Sequence, residues 1–134
     1  ELKALASDRV LAKGFVEHTS DAYDPHRIFV APLLSGAGIK GKVIAALAQG
    51  TPAVLTPVAA EGIGLRNGLD CLIADTPQDT AAAILRLYND PDLWRRLSDS
   101  ARAYVEETFS FPAGRKVMRQ AFETIDISVP FDGG

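Results

Sequence analysis

Covalent and metal chemistry have few residues to work with in this sequence, which holds one cysteine, one methionine, one tryptophan and two histidines in 134 residues. The lone Cys71 sits in an apolar run, which excludes a disulfide scaffold and suits a reducing, cytoplasmic setting. His18 and His26 stand eight residues apart in loop-like sequence, with no cysteine or third histidine nearby, so no metal site is read from them. No apolar run approaches membrane-spanning length, and the first residues do not resemble a signal peptide. Excess positive charge is also missing. A formal net charge of -3 is the opposite of the basic footprint that a nucleic-acid partner requires. The patterns G-x-S-x-G, H-E-x-x-H, complete G-x-G-x-x-G and the P-loop are absent, as are internal repeats.

What is present is the composition of a soluble globular domain, 47% apolar and 23% charged, long enough for one core. The sequence starts at Glu1 rather than Met, in what reads as the last turns of a helix with Leu2, Leu5 and Ala6 on one face. A piece of a longer protein is therefore expected. Four short apolar runs are strand candidates: residues 10–13, 28–31, 53–56 and 71–74. Residues 15–24 are mixed and polar, a loop with a short helical turn. Residues 39–49 are helix-compatible and stop at Gly50 and Pro52. Residues 57–68, with glycines and prolines among small residues, read as a long loop with room for one helical turn.

The remainder is helical. Thr76 and Pro77 open one helix as N-cap and first residue, with Asp79 in its first turn and Ala81, Ile84, Leu85 and Tyr88 as its apolar stripe. Asp90 and Pro91 open a second, with Leu93, Trp94, Leu97, Ala101, Tyr104 and Val105 at helical spacing. A break at 109–112 leads into a last helix ending near Ile125, so that residues 1–126 form the domain and 127–134 a tail. Strands alternating with helices imply an α/β fold: a Rossmann-like parallel sheet with helices on both faces.

Residues 29–56 are the centre of this arrangement, read as strand, glycine-rich turn, helix, tight turn and strand. The turn Ser35, Gly36, Ala37, Gly38 runs from the carboxyl end of a strand into a helix N-terminus. Free backbone N–H groups and the positive end of the helix dipole favour an anion there. Ligands of open parallel sheets also gather at strand carboxyl ends. A phosphate-bearing ligand is the functional reading; glycines serving only a tight turn is the structural one. Lys40 and Lys42 follow in the first helical turn, where a cation opposes the dipole and a bound anion would account for it. They lie about 200° apart around a helix, so they do not both face one ligand. Glu61 and Gly62, on the loop after the next strand, border the same crevice or are simply solvated. Asp90-Pro-Asp92 has the D-x-D form that holds metal in some sugar transferases, but a helix cap and a first-turn acid explain both carboxylates. Trp94, Tyr88 and Phe109 are read as core anchors rather than a ligand cage.

The run Pro32-Leu-Leu-Ser-Gly-Ala-Gly-Ile-Lys-Gly-Lys-Val-Ile-Ala-Ala-Leu-Ala-Gln-Gly-Thr-Pro-Ala-Val-Leu-Thr56 closely resembles the signature of GT-B glycosyltransferases of the family 4 kind (glycosyl transferases group 1). The resemblance continues through Ala60-Glu-Gly-Ile63, Gly68-Leu-Asp-Cys-Leu-Ile-Ala-Asp75, the Leu-Tyr-Asn-Asp-Pro run at 87–91 and Phe109-Ser110, about 100 residues in the right order. It implies most of the carboxyl-terminal, donor-binding domain of a two-domain enzyme, without its first two strands. It implies transfer of a sugar from a nucleotide diphosphate-sugar, with no metal or other cofactor, to an acceptor held by an amino-terminal domain outside the chain. The isolated 134 residues are then expected to be inactive. Peripheral membrane association of the full-length enzyme is compatible with the resemblance. Donor and phosphate contacts fall on Ser35, Gly36, Ala37, Gly38, Lys40, Lys42, Glu61 and Gly62, and no catalytic residue is assigned.

The sequence departs from the family at two positions. Members usually carry two glutamates eight residues apart, and these positions fall at Ala37 and Ala45. Alanine accepts no hydrogen bond from a ribose hydroxyl, which keeps a second reading open: a GT-B-like module that binds or assembles without catalysis. Lys42 stands three residues before Ala45 and shares its face, so it is preferred to Lys40 as the phosphate contact. By the resemblance, the four strands are the third to sixth of a sheet ordered 3-2-1-4-5-6. Without strands one and two, residues 28–31 would form a bare apolar edge, which offers unpaired backbone groups to another chain. The expectation is that this edge is covered, either by a second copy pairing or swapping across it or by residues 10–13 moving in beside it.

Overall fold

The computed structural model describes residues 7–23 and 25–124. Three parallel strands, β1 (Phe29–Ala31), β2 (Ala53–Leu55) and β3 (Leu72–Ile73), lie in the order β1-β2-β3. Phe29 is in register with Ala53, and Val54 with Leu72. Helices α1 (Thr19–Tyr23), α2 (Gly41–Ala48), α3 (Pro57–Ala60), α4 (Pro77–Asn89), α5 (Pro91–Phe109) and α6 (Phe111–Thr124) complete the described chain.

The two-residue period of a strand sorts its side chains onto opposite faces. Phe29, Ala31, Ala53, Leu55 and Ile73 pack on one face with Val43 and Leu47 of α2 and Ala59 of α3. Val30, Val54 and Leu72 pack on the other with Ile84 and Leu87 of α4. Leu47, Leu55, Leu87 and Leu97 are among the largest fully buried side chains, each stabilising by about 1.5–3 kcal/mol relative to exposure. With both faces covered, the strands consist almost wholly of apolar residues, as parallel strands must.

Helix α5 belongs to both layers: Leu93 and Leu97 join the α4 cluster, and Ala101 and Val105 join the α2 cluster. Its polar side chains explain its path. Trp94 Nε1 donates to the Arg27 carbonyl at 2.7 Å, just before β1. Ser98 Oγ donates to the Gly50 carbonyl at 2.7 Å, ahead of β2. Ser100 Oγ donates to the Asp70 carboxylate at 2.7 Å, ahead of β3. Helix α5 therefore runs past the amino ends of all three strands and leaves their carboxyl ends to the loops.

Asp70 is fully buried. Arg66 grips it with Nε at 2.7 Å, a second guanidinium nitrogen at 2.9 Å and its own backbone N–H at 2.9 Å. Burial opposes ionisation of this carboxyl, but the bonds from Arg66 and Ser100 outweigh it and hold its pKa below the usual value. Burial, with the Asp70 charge beside it, pushes the Cys71 thiol up to about 12, so it stays protonated and acts as core filling.

The α/β fold expected from the sequence is present, with three of its four strand candidates. Residues 10–13 are not a strand. Ser7 and Val10 instead close a tight antiparallel bridge, and residues 11–16 have no regular structure. Val10 is 51% and Leu11 75% exposed, and Ala12 is exposed too; the three apolar residues between Arg9 and Lys13 bury too little to offset the cost of ordering a strand. The expected closure of the sheet edge by 10–13 therefore does not occur. Among the described residues of the single chain, only β2 pairs with β1, which leaves its other edge open; helices cover its side chains, with Ala31 buried and Phe29 and Val30 half-buried.

Helix α4 shows a second correction. Its buried side is Ala83, Ile84 and Leu87, whereas Leu85 and Tyr88 are 62% and 57% exposed. Tyr88 is not a core anchor; Arg27 lies over its ring at 5.1 Å. Trp94 and Phe109 do pack against the core. The expected first helix near Leu2 to Ala6 and the tail 127–134 lie outside the described residues.

Candidate functional site

Leaving the sheet at Pro32, the chain is exposed from residue 32 to residue 39 before α2 begins at Gly41. Gly36 has φ 135° and Gly38 φ 79°, backbone conformations that side chains other than glycine rarely adopt. Positive φ rather than crowding is what favours glycine here, since a Cβ on Gly38 would meet nothing within 4 Å beyond its chain neighbours and one on Gly36 only the Lys40 side chain at 3.8 Å. Ser35 and Ala37 sit between them, exposed.

Helix α2 starts two residues later than its composition suggests, at Gly41 rather than Ile39. Lys40 is its N-cap, with φ -89° and ψ 92°, and no side chain caps the helix. The Lys40 carbonyl accepts the Val43 and Ile44 N–H groups at 2.9 and 3.3 Å. The N–H groups of Gly41 and Lys42 precede this ladder and point out of the helix end, with the positive end of the dipole behind them.

The two lysines are placed differently. Lys40 Nζ folds back onto the carbonyls of Gly36 and Gly38 and closes the turn. It is not a residue of the first helical turn, because the Gly38 conformation brings the chain into α2 only at Gly41. Lys42 is the second residue of α2 and is exposed, while its carbonyl accepts a bond from Tyr23 Oη at 3.3 Å, tying α2 to α1. Ala45 follows three positions on, half-buried.

The loop after β2 approaches the same turn. Thr56 accepts the Ala59 N–H at 3.2 Å as N-cap of α3, and its hydroxyl donates to the Leu33 carbonyl at 2.7 Å. Gly62, at φ 75°, lies beside Ile39: a Cβ placed on it would come within 3.6 Å of the Ile39 side chain. Glu61, the C-cap residue of α3, is exposed next to it. The structure thus brings the 35–42 turn and the 61–62 loop together at the carboxyl ends of β1 and β2.

Thr56 was legible only in part. Thr56-Pro57 repeats the cap-and-proline signal read correctly at Thr76-Pro77, but the hydroxyl's bond to Leu33 spans 23 residues and has no local signature. The D-x-D pattern resolves into helix capping: the Asp90 carboxylate accepts from the Asp92 and Leu93 N–H groups at 3.1 and 2.8 Å. Among the described residues, no three acidic, histidine or cysteine side chains are grouped so as to hold a metal ion. No helix among them is long and apolar enough to cross a membrane.

A parallel sheet with an uncapped helix end and small-residue turn beside a second loop is shared by many nucleotide-binding proteins, and the comparison with known families separates them. The family model described as glycosyl transferases group 1 matches residues 1–90. The chain belongs to this family. Its relatives include an uncharacterized 44.6 kDa protein in the cps region of Klebsiella pneumoniae, 26% identical over 107 residues that make up 80% of this chain and 27% of that protein. YtcC of Bacillus subtilis strain 168, named as a candidate glycosyltransferase, is 28% identical over 83 residues, 60% of this chain and 20% of YtcC. Sucrose-phosphate synthase from Thermosynechococcus elongatus shares the fold, with a TM-score of 0.66 and 24% identity over 78% of this chain and 26% of that one. The chain spans about a quarter of the length of these relatives.

Proposed function

We propose that this chain is the donor-binding part of a glycosyltransferase, which moves a sugar from a nucleotide diphosphate-sugar to an acceptor held elsewhere in the protein. The observation that carries the reading is the uncapped start of α2. Its first N–H groups lie beside the small-residue turn 35–38 after β1, and Lys42, exposed, is the second residue of the helix. Family membership supports the reading. In the transfer step the diphosphate leaves with growing negative charge, and fixed N–H dipoles with a lysine stabilise that charge as it develops. Lys40 shapes the turn, and Lys42 supplies the cation.

Lys42→Ala is expected to weaken nucleotide diphosphate binding by about 1.5–3 kcal/mol, the range for a hydrogen bond to a charged group. It should also flatten the salt dependence, since an exposed charge pair is screened. Titration calorimetry with UDP, GDP and ADP sugars at two ionic strengths measures both. Unchanged affinity and salt slope would remove Lys42 from the site.

On this reading the acceptor is held elsewhere in the protein, and because positioning it supplies much of the rate, the 134 residues alone are expected to transfer no sugar. Sugar transfer by the purified chain would refute this. In isolation, the open edge of β1 is where a second copy is expected to pair.

A second reading has its own support. Ala37 and Ala45 stand where family members usually carry glutamates, so ribose recognition at this face lacks an acceptor, as in a module that binds or assembles without catalysis. Failure of every donor to bind the folded full-length protein would favour it.

A further inference from the structure

The β1–β2 ladder ends with the Thr56 N–H donating to the Ala31 carbonyl at 3.3 Å. The next residue on the β1 side is Pro32, which has no N–H and cannot extend the ladder. One bond takes the place of the missing rung. The Thr56 hydroxyl reaches past Pro32 to the Leu33 carbonyl at 2.7 Å, while its oxygen accepts the Ala59 N–H at 3.2 Å.

Thr56 is 6% exposed, whereas every residue from 32 to 39 is exposed. Core packing therefore does not set where the turn begins. The buried hydroxyl ties the first half of the turn to the sheet, and Ile39 in the second half lies beside Gly62 of the loop that Thr56 itself starts, 3.6 Å from where a Gly62 Cβ would stand.

We propose that Thr56 is a positioning residue of the donor site. Its hydroxyl locks the β1–α2 turn to the β2–α3 loop, so that the N–H groups ahead of α2 are already aimed when a diphosphate arrives. Ordering done before binding is not charged against affinity. The inference rests on the donor-binding reading above and adds to it how the site is held.

The test compares Thr56→Val, which keeps the shape and loses the hydroxyl, with Thr56→Ser, which keeps the hydroxyl. Asp90→Ala is the control. It removes an N-cap of the same kind from α5, at the amino end of the sheet and away from the turn. UDP, GDP and ADP are titrated into each full-length protein, and amide exchange of residues 33–42 is followed in parallel. Thr56→Val should bind about tenfold more weakly and exchange faster across that segment. Thr56→Ser should restore both, and Asp90→Ala should lower the melting temperature and change neither. Equal affinity and exchange in wild type and Thr56→Val would overturn the role of Thr56 while leaving the donor reading intact. Weakening by Asp90→Ala to the same extent would overturn it too, as general destabilisation. A wild type that binds none of the three diphosphates would overturn the donor reading itself, and Thr56 as part of it.

Discussion

Gly38→Val is expected to abolish nucleotide diphosphate binding, a loss of more than a hundredfold, while the domain stays folded. Gly38 has φ 79°, where a β-branched residue is a steric outlier. Beyond its two chain neighbours, no atom of the described residues lies within 4 Å of the place a Cβ would take, so the new side chain stands in open space beside the turn. That space is where the diphosphate is proposed to sit. Strain of about 1–3 kcal/mol at such a position falls on an exposed turn that can relax. The strands and both apolar clusters are untouched. The variant should therefore melt only a few degrees below wild type by circular dichroism, yet titrate as if empty with UDP, GDP and ADP. Equal affinity in the two proteins would exclude the turn as the diphosphate site. Collapse of the fold would mean that Gly38 serves the structure rather than a ligand.

Asp70→Ala should be the most destabilising single change outside the apolar core. The carboxylate is fully buried and takes bonds from Arg66 and Ser100, joining the start of β3 to α5. Its removal takes away several charge-assisted bonds together and leaves the Ser100 hydroxyl short of a partner. A loss of about 3 kcal/mol is expected, a fall of about 10 °C in melting temperature for a domain of this size. The pH dependence has a definite sign. The Asp70 pKa is lower folded than unfolded, so its contribution is complete above the ordinary carboxylate value and disappears as pH falls through the lower, folded one. Acid should therefore cost the wild type more stability than Asp70→Ala, and the two curves should converge below about pH 4. Urea unfolding from pH 7 down to pH 3 measures this; parallel curves would show that Asp70 is not the group responsible.

Much of the turn and cap structure around the candidate site was legible because its signals are local. Gly36 and Gly38 mark a turn, and the turn is there, with both glycines at positive φ. Thr76-Pro77 and Asp90-Pro91 mark helix starts, and each cap accepts the N–H groups that its position calls for. Such signals join groups at most four residues apart, so the chain needs no knowledge of its neighbours to express them. The ordered run of motifs from Pro32 to Ser110 added the family, where the residue chemistry by itself went no further than a phosphate-bearing ligand or a merely structural turn.

Tertiary structure decided the rest, wherever two local answers were equally good. Helix α4 is apolar on more than one side, so spacing alone admits Ala81, Ile84, Leu85 and Tyr88 as readily as Ala83, Ile84 and Leu87; contact with Val54 and Leu72 buries the second set, and of the first only Ile84 stays on the packed side. Residues 10–13 have strand-like composition, but a strand forms only where a neighbour pairs along it, and among the described residues only Val10 is bridged, to Ser7. Lys40 and Lys42 are alike in sequence, yet the Gly38 turn brings the Gly36 and Gly38 carbonyls within reach of Lys40 and leaves Lys42 facing solvent. Asp70 looks like any loop carboxylate until α5 crosses the amino ends of the strands and buries it. Local bonding sets caps, turns and periodicity; which face is buried, which charge is free and which hydroxyl joins two loops depend on partners tens of residues away, and only the folded chain brings those together.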